Sequence, residues 1–374
     1  VYMDAVLHPN IYKEEKIFRQ EGWHYELESK DAPLIYNGVV YNEMKGAYSS
    51  PESILDSVTQ KTLFPDTCYG KDSGGDPVYI PELSYEKFLD FHKTYYHPSN
   101  SYIYLYGNMD MEEKLEFLDS HYLSAFDSLV IDSEIRDQEA FAQVKDIQKS
   151  YPVSEDEGEE DNTYLSYNMV VGEAADINLS LAFEVLDYAL LSAPGAPLKQ
   201  ALLDAKIGRD IYGSFEDGIK QTYFSIVAKG ANLSQKEEFV KVIRDTLTKI
   251  MEEGIDKKAV TAGINYYEFR FREADFSSYP KGLMYGLDIL SSWLYDDTKP
   301  FCEVQLLEGF EFLKKALEEG YFEDLIRKYL LDNTHGAILS LVPEKGLAAK
   351  RDKELEEKLE NYRKSLSDEE LTRM

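Results

Sequence analysis

One run of the chain carries the residue with the clearest chemical potential: Gly38-Val39-Val40-Tyr41-Asn42-Glu43-Met44-Lys45-Gly46-Ala47-Tyr48. The run reads as a helix over about 37–48, in which residues three and four apart share a face. For Glu43 those neighbours are Val39, Val40, Gly46 and Ala47, all apolar or small. A carboxylate on such a face has two ways to exist. It is buried and paired with a cation or a metal, because an unpaired buried charge is costly. Alternatively it leans out to water at the edge of the face, as most glutamates do. Both readings stand at this point.

A metal would need further ligands. The six histidines are His8, His24, His92, His97, His121 and His335, and no two are four apart. His92 and His97 are five apart, which does not place them on one helical face as a zinc pair requires. They are therefore read as hydrogen-bonded helix-end or core histidines. Cys68 and Cys302 are far apart and in no metal-binding spacing, so a disulfide framework is not expected and a reducing compartment fits. The glycine-rich segment 67–77 lacks the Gly-x-x-x-x-Gly-Lys-Ser/Thr pattern that cradles phosphates, which excludes a nucleotide reading.

A length of 374 residues suits two or three domains with substantial cores. Acidic residues number 70 against 40 basic, a formal net charge of -30. Nucleic acid and anionic membranes are poor partners for such a chain, since phosphate binding needs a basic footprint. The charge would suit attraction of basic peptides, or merely solubility. No apolar run reaches the roughly 18 residues of a membrane span. The start, Val1-Tyr2-Met3-Asp4-Ala5-Val6, has no basic region of a signal peptide and reads as the middle of an element.

Around the Glu43 run, helices are expected over 12–20, from 50 with Ser50 as cap and Pro51 at the first position, over 84–96 with Ser84 as cap, and over 111–126. The alternation over 101–106 predicts a strand. A strand over 143–152 precedes the acidic run 154–161, read as a solvated loop. Beyond it come a strand at 164–171, helices at 179–191 and 198–205, and a strand at 222–229. Helices at 239–253, 257–273, 283–293, 304–317 and 321–331 lead to a strand at 335–341. The order helix, break, strand at 91–107 is echoed at 325–343. The tail 344–374 is charged and helical, with Leu355, Leu359, Tyr362 and Leu366 as a stripe.

Gly38–Tyr48, with Gln20-Glu21-Gly22-Trp23-His24 before it and Ser73-Gly74-Gly75-Asp76-Pro77 and Tyr96-His97-Pro98-Ser99-Asn100 after it, resembles the presequence-protease branch of the pitrilysin (insulinase) family of zinc peptidases. The resemblance continues more loosely through the rest of the chain. It implies an α+β fold of repeated pitrilysin-type (mitochondrial-processing-peptidase-like) metallohydrolase domains, each an antiparallel sheet packed with helices, the first incomplete here. The implied division is 1–127 for the rest of a first peptidase domain, 128–162 for an acidic connector with an added strand, 163–343 for a second domain, and 344–374 for the start of a helical hairpin.

The resemblance also makes Glu43 the third zinc ligand, with Asn42 and Tyr41 as residues that could orient it. Two histidine ligands and the general base would come from an inverted His-x-x-Glu-His motif upstream, which this sequence lacks. The chain is thus expected to be a fragment whose parent binds Zn2+ and hydrolyses short, unstructured peptides in a closed chamber. The metal would activate water there and a glutamate would take its proton. No residue here inherits the family's substrate clamp, and the isolated chain is expected to bind no catalytic zinc and to be inactive. The alternative is a non-catalytic scaffold or peptide-binding relative. Expected partners are peptides, the missing N-terminal segment and C-terminal half, and another copy of the fragment. The expected setting is the bacterial cytoplasm or an organellar matrix.

Overall fold

The computed structural model describes residues 1–373, and the chain divides into two compact units. The first unit comprises Val1–Ser53, Asp72–Glu134 and the chain from Ala348 onwards. It is mostly helical, with a two-stranded antiparallel ribbon of β1 (His24–Glu26) and β2 (Ile35–Asn37). Its core is small. Phe18 packs against Phe88 and Tyr85 at ring distances of 5.3 and 6.0 Å, and Trp23 donates its indole N–H to the Leu83 carbonyl at 2.8 Å.

The second unit comprises Ile54–Lys71 and Ile135–Leu347. A five-stranded sheet forms its centre: β3 (Lys145–Val153), β4 (Thr163–Glu173), β5 (Asp210–Glu216), β6 (Gln221–Ala231) and β7 (Gly336–Lys345), in the order β3-β7-β4-β6-β5. Neighbours are antiparallel except β3 and β7, which run parallel from Lys145 opposite Ala337. The sheet is therefore mixed rather than wholly antiparallel. β3 joins it as an added edge strand, and no tight turn ties it to β7 to impose the antiparallel sense.

Side chains alternate across a strand, and here one set faces helices. Leu165, Tyr167, Met169 and Val171 of β4 join Phe224, Ile226 and Ala228 of β6 in the main core. The helix Lys236–Glu253 adds Phe239, Ile243 and Leu247 at a spacing of four, and the helix Lys257–Glu273 adds Val260 and Ile264. The other set on β4 and β6 is also buried, so these two strands show no polar face to solvent over most of their length. Its polar members pair with one another. Asn168 donates to Ser166 Oγ at 2.8 Å and to the Ala337 carbonyl at 3.1 Å, and accepts from Ser225 Oγ at 2.7 Å. Three strands are thereby cross-linked in the interior, where an unpaired amide would be costly.

One expectation from periodicity differs from the structure, and one strand has no counterpart in the sequence pattern. The run 101–106 forms no strand, although its residues alternate. A strand needs a hydrogen-bonded neighbour, and none lies beside it among the described residues. The echo of 91–107 in 325–343 therefore holds for the helix and the break but not for the strand. In turn, β5 was not legible, because Asp210–Glu216 carries Gly213 and Ser214 in place of a hydrophobic run.

Candidate functional site

The Glu43 helix spans Val39–Ala47 and lies in the first unit. Its start is set by Gly38, which adopts φ 147 at the N-cap. A Cβ at Gly38 would overlap the Gly22 carbonyl and sit 2.7 Å from Trp23 Cα. The chain can cross itself here only with glycine. Gly22 then accepts a hydrogen bond from the Tyr41 amide at 3.3 Å, locking the first turn against the Gln20–His24 segment.

Tyr41 is 5% exposed and meets Tyr36 edge-on at 5.7 Å. Burial first, then the neighbouring Tyr36 and Asp352, raise its phenol above the usual range, so it stays a neutral anchor. Asn42 donates to Asn37 Oδ1 at 2.7 Å, and the same oxygen accepts from the Gly38 amide at 2.8 Å. Asn37 in turn donates to the Glu26 carboxylate. Asn42 thus ties the helix to the β1–β2 ribbon. Tyr41 and Asn42 also border a cleft of about 960 Å3, walled on its far side by the helix Leu347–Ser365. On the opposite flank Met44 lies against Gly74 so closely that a Cβ at Gly74 would strike its sulfur.

Glu43 itself is exposed, as are Gly46 and Ala47 beside it. Val39 is 42% and Val40 36% exposed, and nothing lies within 4 Å of where a Gly46 Cβ would stand. No hydrogen bond or ion pair reaches the Glu43 carboxylate among the described residues. The sequence thus places an unpaired acid on an apolar face, and the fold leaves that face open.

Three of the histidines are engaged with other groups. His92 Nδ1 pairs with the Tyr12 hydroxyl at 2.8 Å and its Nε2 with the Val6 carbonyl at 2.9 Å. His97 Nδ1 accepts from the Ser99 amide at 3.1 Å. His335 is buried in the second unit with Nε2 3.0 Å from the Leu63 carbonyl, and its burial depresses the pKa. Zinc is held by about four ligands. Among the described residues no group of three His, Cys, Asp or Glu side chains is close enough to hold a metal ion. The described residues of this chain by themselves do not fit a complete zinc site.

Comparison with known proteins gives the helix its context. The family described as peptidase M16 inactive domain matches residues 82–267. The chain is 50% identical over 371 residues to Protein HypA of Clostridium perfringens, covering 99% of this chain and 38% of that protein. It is 37% identical over 382 residues to presequence protease 1, chloroplastic/mitochondrial, of Arabidopsis thaliana, covering 100% of this chain and 35% of that protein. The chain is a pitrilysin-family, presequence-protease-like protein.

Solved structures agree on the fold. A protease from Helicobacter pylori superposes with a TM-score of 0.61 at 17% identity, covering 82% of this chain and 70% of that one. A peptidase M16 inactive domain from Pseudomonas fluorescens gives 0.60 at 16% identity, covering 82% and 69%. At that level of identity the likeness concerns the fold alone. This pitrilysin-family chain spans well under half the length of the curated relatives it matches, 38% and 35% of the two named above. Among the described residues no helix is long and apolar enough to cross a membrane.

The sequence reading passed over a second group of acids, in the second unit. Glu184 sits in the helix Ile177–Asp187, where every other residue from Leu179 to Leu186 is buried. That signal is of the same kind as the one at Glu43. Its neighbours Asp288 and Glu303 come from remote segments, and only the fold brings them to the same cavity.

Proposed function

We propose that this pitrilysin-family chain is the part of a zinc metalloendopeptidase that supplies Glu43 as one metal ligand. The two histidines and the catalytic base come from sequence outside it. The full-length protein degrades short, unstructured peptides in a closed chamber, and the chain by itself hydrolyses nothing. The observation that carries the reading is the open Glu43 face: an exposed carboxylate without a partner, beside Gly46 and Ala47, on a helix whose other flanks are fixed by Gly38, Asn42 and Met44. Small residues next to an unpaired acid leave room for a second element to approach and pair it. Relatives named presequence protease support the peptide substrate class. Tyr41 and Asn42 hold the helix in place rather than touching Glu43 directly.

The domain assignment that accompanies this reading makes 163–343 a second pitrilysin-type domain after the 128–162 connector, with 344–374 beginning a helical link. The exposed Tyr102, Ile103 and Tyr106 support a first domain completed by further sequence of the same protein. The reducing setting is a bacterial cytoplasm or an organellar matrix, consistent with Cys68 and Cys302 as free thiols. A second reading, a non-catalytic scaffold or peptide-binding protein, is favoured by the match to an inactive domain over 82–267.

The two separate in the full-length protein by a Glu43→Gln substitution. The expected outcome is loss of bound zinc by elemental analysis and loss of peptide hydrolysis, with an unchanged circular dichroism spectrum. Zinc content and turnover equal to the parent would refute the ligand role. A parent with neither zinc nor turnover would establish the scaffold.

A further inference from the structure

The cavity that collects Glu184, Asp288 and Glu303 belongs to the second unit and has a volume of about 330 Å3. Its walls come from the helices Ile177–Asp187, Lys257–Glu273, Lys281–Trp293 and Leu307–Ala316, with Asp217 also on the lining. Carboxylates stand on separate walls. Aromatic rings share the lining: Phe276 and Tyr285 meet edge-on at 5.3 Å and 87°, and Phe271 is a further lining residue.

The charge inside is not balanced. Burial first, then Asp217 and Asp288, push the Glu303 carboxyl up to about 8. Burial likewise raises Asp288, with Asp217 adding to it, and raises Glu184. Arg270 is the one cation on the walls; it is exposed, and its guanidinium lies 5.6 Å from the ring of Tyr266, a residue that is not part of the lining. Of the influences on Glu184, Arg270 ranks last. A further group points the same way without being an acid. Ser180 lines the cavity, is only 7% exposed, and its Oγ has no hydrogen-bond partner. A buried hydroxyl without a partner is uncommon and calls for an explanation.

We propose that this cavity is a binding site for a guanidinium group, the side chain of an arginine in a peptide. A planar guanidinium presents five N–H donors to carboxylates on different sides and stacks on aromatic faces, and it is more weakly hydrated than an ammonium. Glu184, Asp288 and Glu303 accept from it, Ser180 Oγ gains the partner it lacks, and one ring of the perpendicular Phe276–Tyr285 pair covers a face. A divalent metal ion is a poorer occupant. Oxygen ligands must close around it within about 2.0–2.6 Å, and among the described residues no three acids converge that far. The assignment does not depend on the parent protein being a peptidase.

The test is calorimetric titration of the full-length protein with Nα-acetylarginine N-methylamide and, in parallel, with the citrulline analogue, which keeps the shape and loses the charge. The expected result is binding of the arginine probe at least tenfold tighter than the citrulline probe. Glu303→Gln with Asp288→Asn should abolish that preference, and Ser180→Ala should weaken arginine binding a few-fold while the circular dichroism spectrum stays that of the parent. Millimolar Mg2+ should not displace the probe. No measurable binding, equal binding of the two probes, binding unchanged in the double variant, or displacement by Mg2+ would each overturn the assignment.

Discussion

Gly38→Ala tests whether the Glu43 helix is positioned by the crossing at Gly22. The backbone φ of 147 at Gly38 is one that a residue with a Cβ adopts only under strain, roughly 1–3 kcal/mol. The added methyl must also displace backbone, since its nearest neighbours are the Gly22 carbonyl and Trp23 Cα. Neither can give way easily. The Gly22 amide is bonded to the Phe18 carbonyl at 2.8 Å, and the Gly22 carbonyl accepts from Tyr41. Overpacking of this kind costs roughly 1–3 kcal/mol, so the combined loss is about 3 kcal/mol, a large part of the stability of a unit with a small core.

Each unit holds one of the two tryptophans, Trp23 and Trp293. In a Trp293→Phe background, urea unfolding followed by Trp23 fluorescence reports the first unit. The midpoint should fall by about 1–2 M, taking a urea slope of about 2 kcal/mol per molar. Gly46→Ala is the control. Open space surrounds it, and alanine is the better helix former by up to about 1 kcal/mol, so its midpoint should hold or rise. A Gly38→Ala midpoint within about 0.3 M of the parent would refute the crossing as the element that fixes the helix.

In the second unit, Phe183 is fully buried and touches Phe215, Phe224 and Tyr329 at ring distances of 5.7, 5.8 and 5.8 Å. Phe183→Ala should destabilise this unit by about 3–5 kcal/mol in denaturant titrations monitored at Trp293; a loss under about 1 kcal/mol would mean the sheet–helix core repacks. Glu303 supplies a pH signature. Its folded pKa of about 8 lies above the ordinary 4.5, so the folded state binds the extra proton between those values and the penalty of its charge is felt above about 8 and relieved as pH falls towards 4.5. Glu303→Gln should therefore raise the second unit's melting temperature relative to the parent at pH 9, with the difference shrinking steadily towards pH 5. A constant difference across that range would show that the carboxyl is not held neutral by its surroundings.

Much of this chain could be read in one dimension. The helix around Glu43 follows from its local residues, and its small and apolar neighbours at three and four positions mark that glutamate as unusual. The helix Lys257–Glu273 has the same ends in sequence and structure, because Asp256 caps its first turn through hydrogen bonds to the Lys258 and Ala259 amides. The central strands are legible as hydrophobic runs because both of their faces are buried. Local signals fail where an element draws its stability from a neighbour. The run 101–106 alternates like a strand but has none beside it among the described residues, whereas β5 has weak strand character and forms because β6 offers a full ladder from Lys229 to Tyr223.

The site divides in the same way. Sequence alone determined that Glu43 is an acid in an apolar setting and that no histidine pair in this chain can join it, since both facts depend on residues a few positions apart. Tertiary structure decided the rest. It left the Glu43 face open and assigned Asn42 to Asn37, and it gathered Glu184, Asp288 and Glu303 from over a hundred residues of chain into one cavity. Helical spacing reports which side chains share a face. What that face meets depends on distant segments, and only packing of the whole unit fixes it.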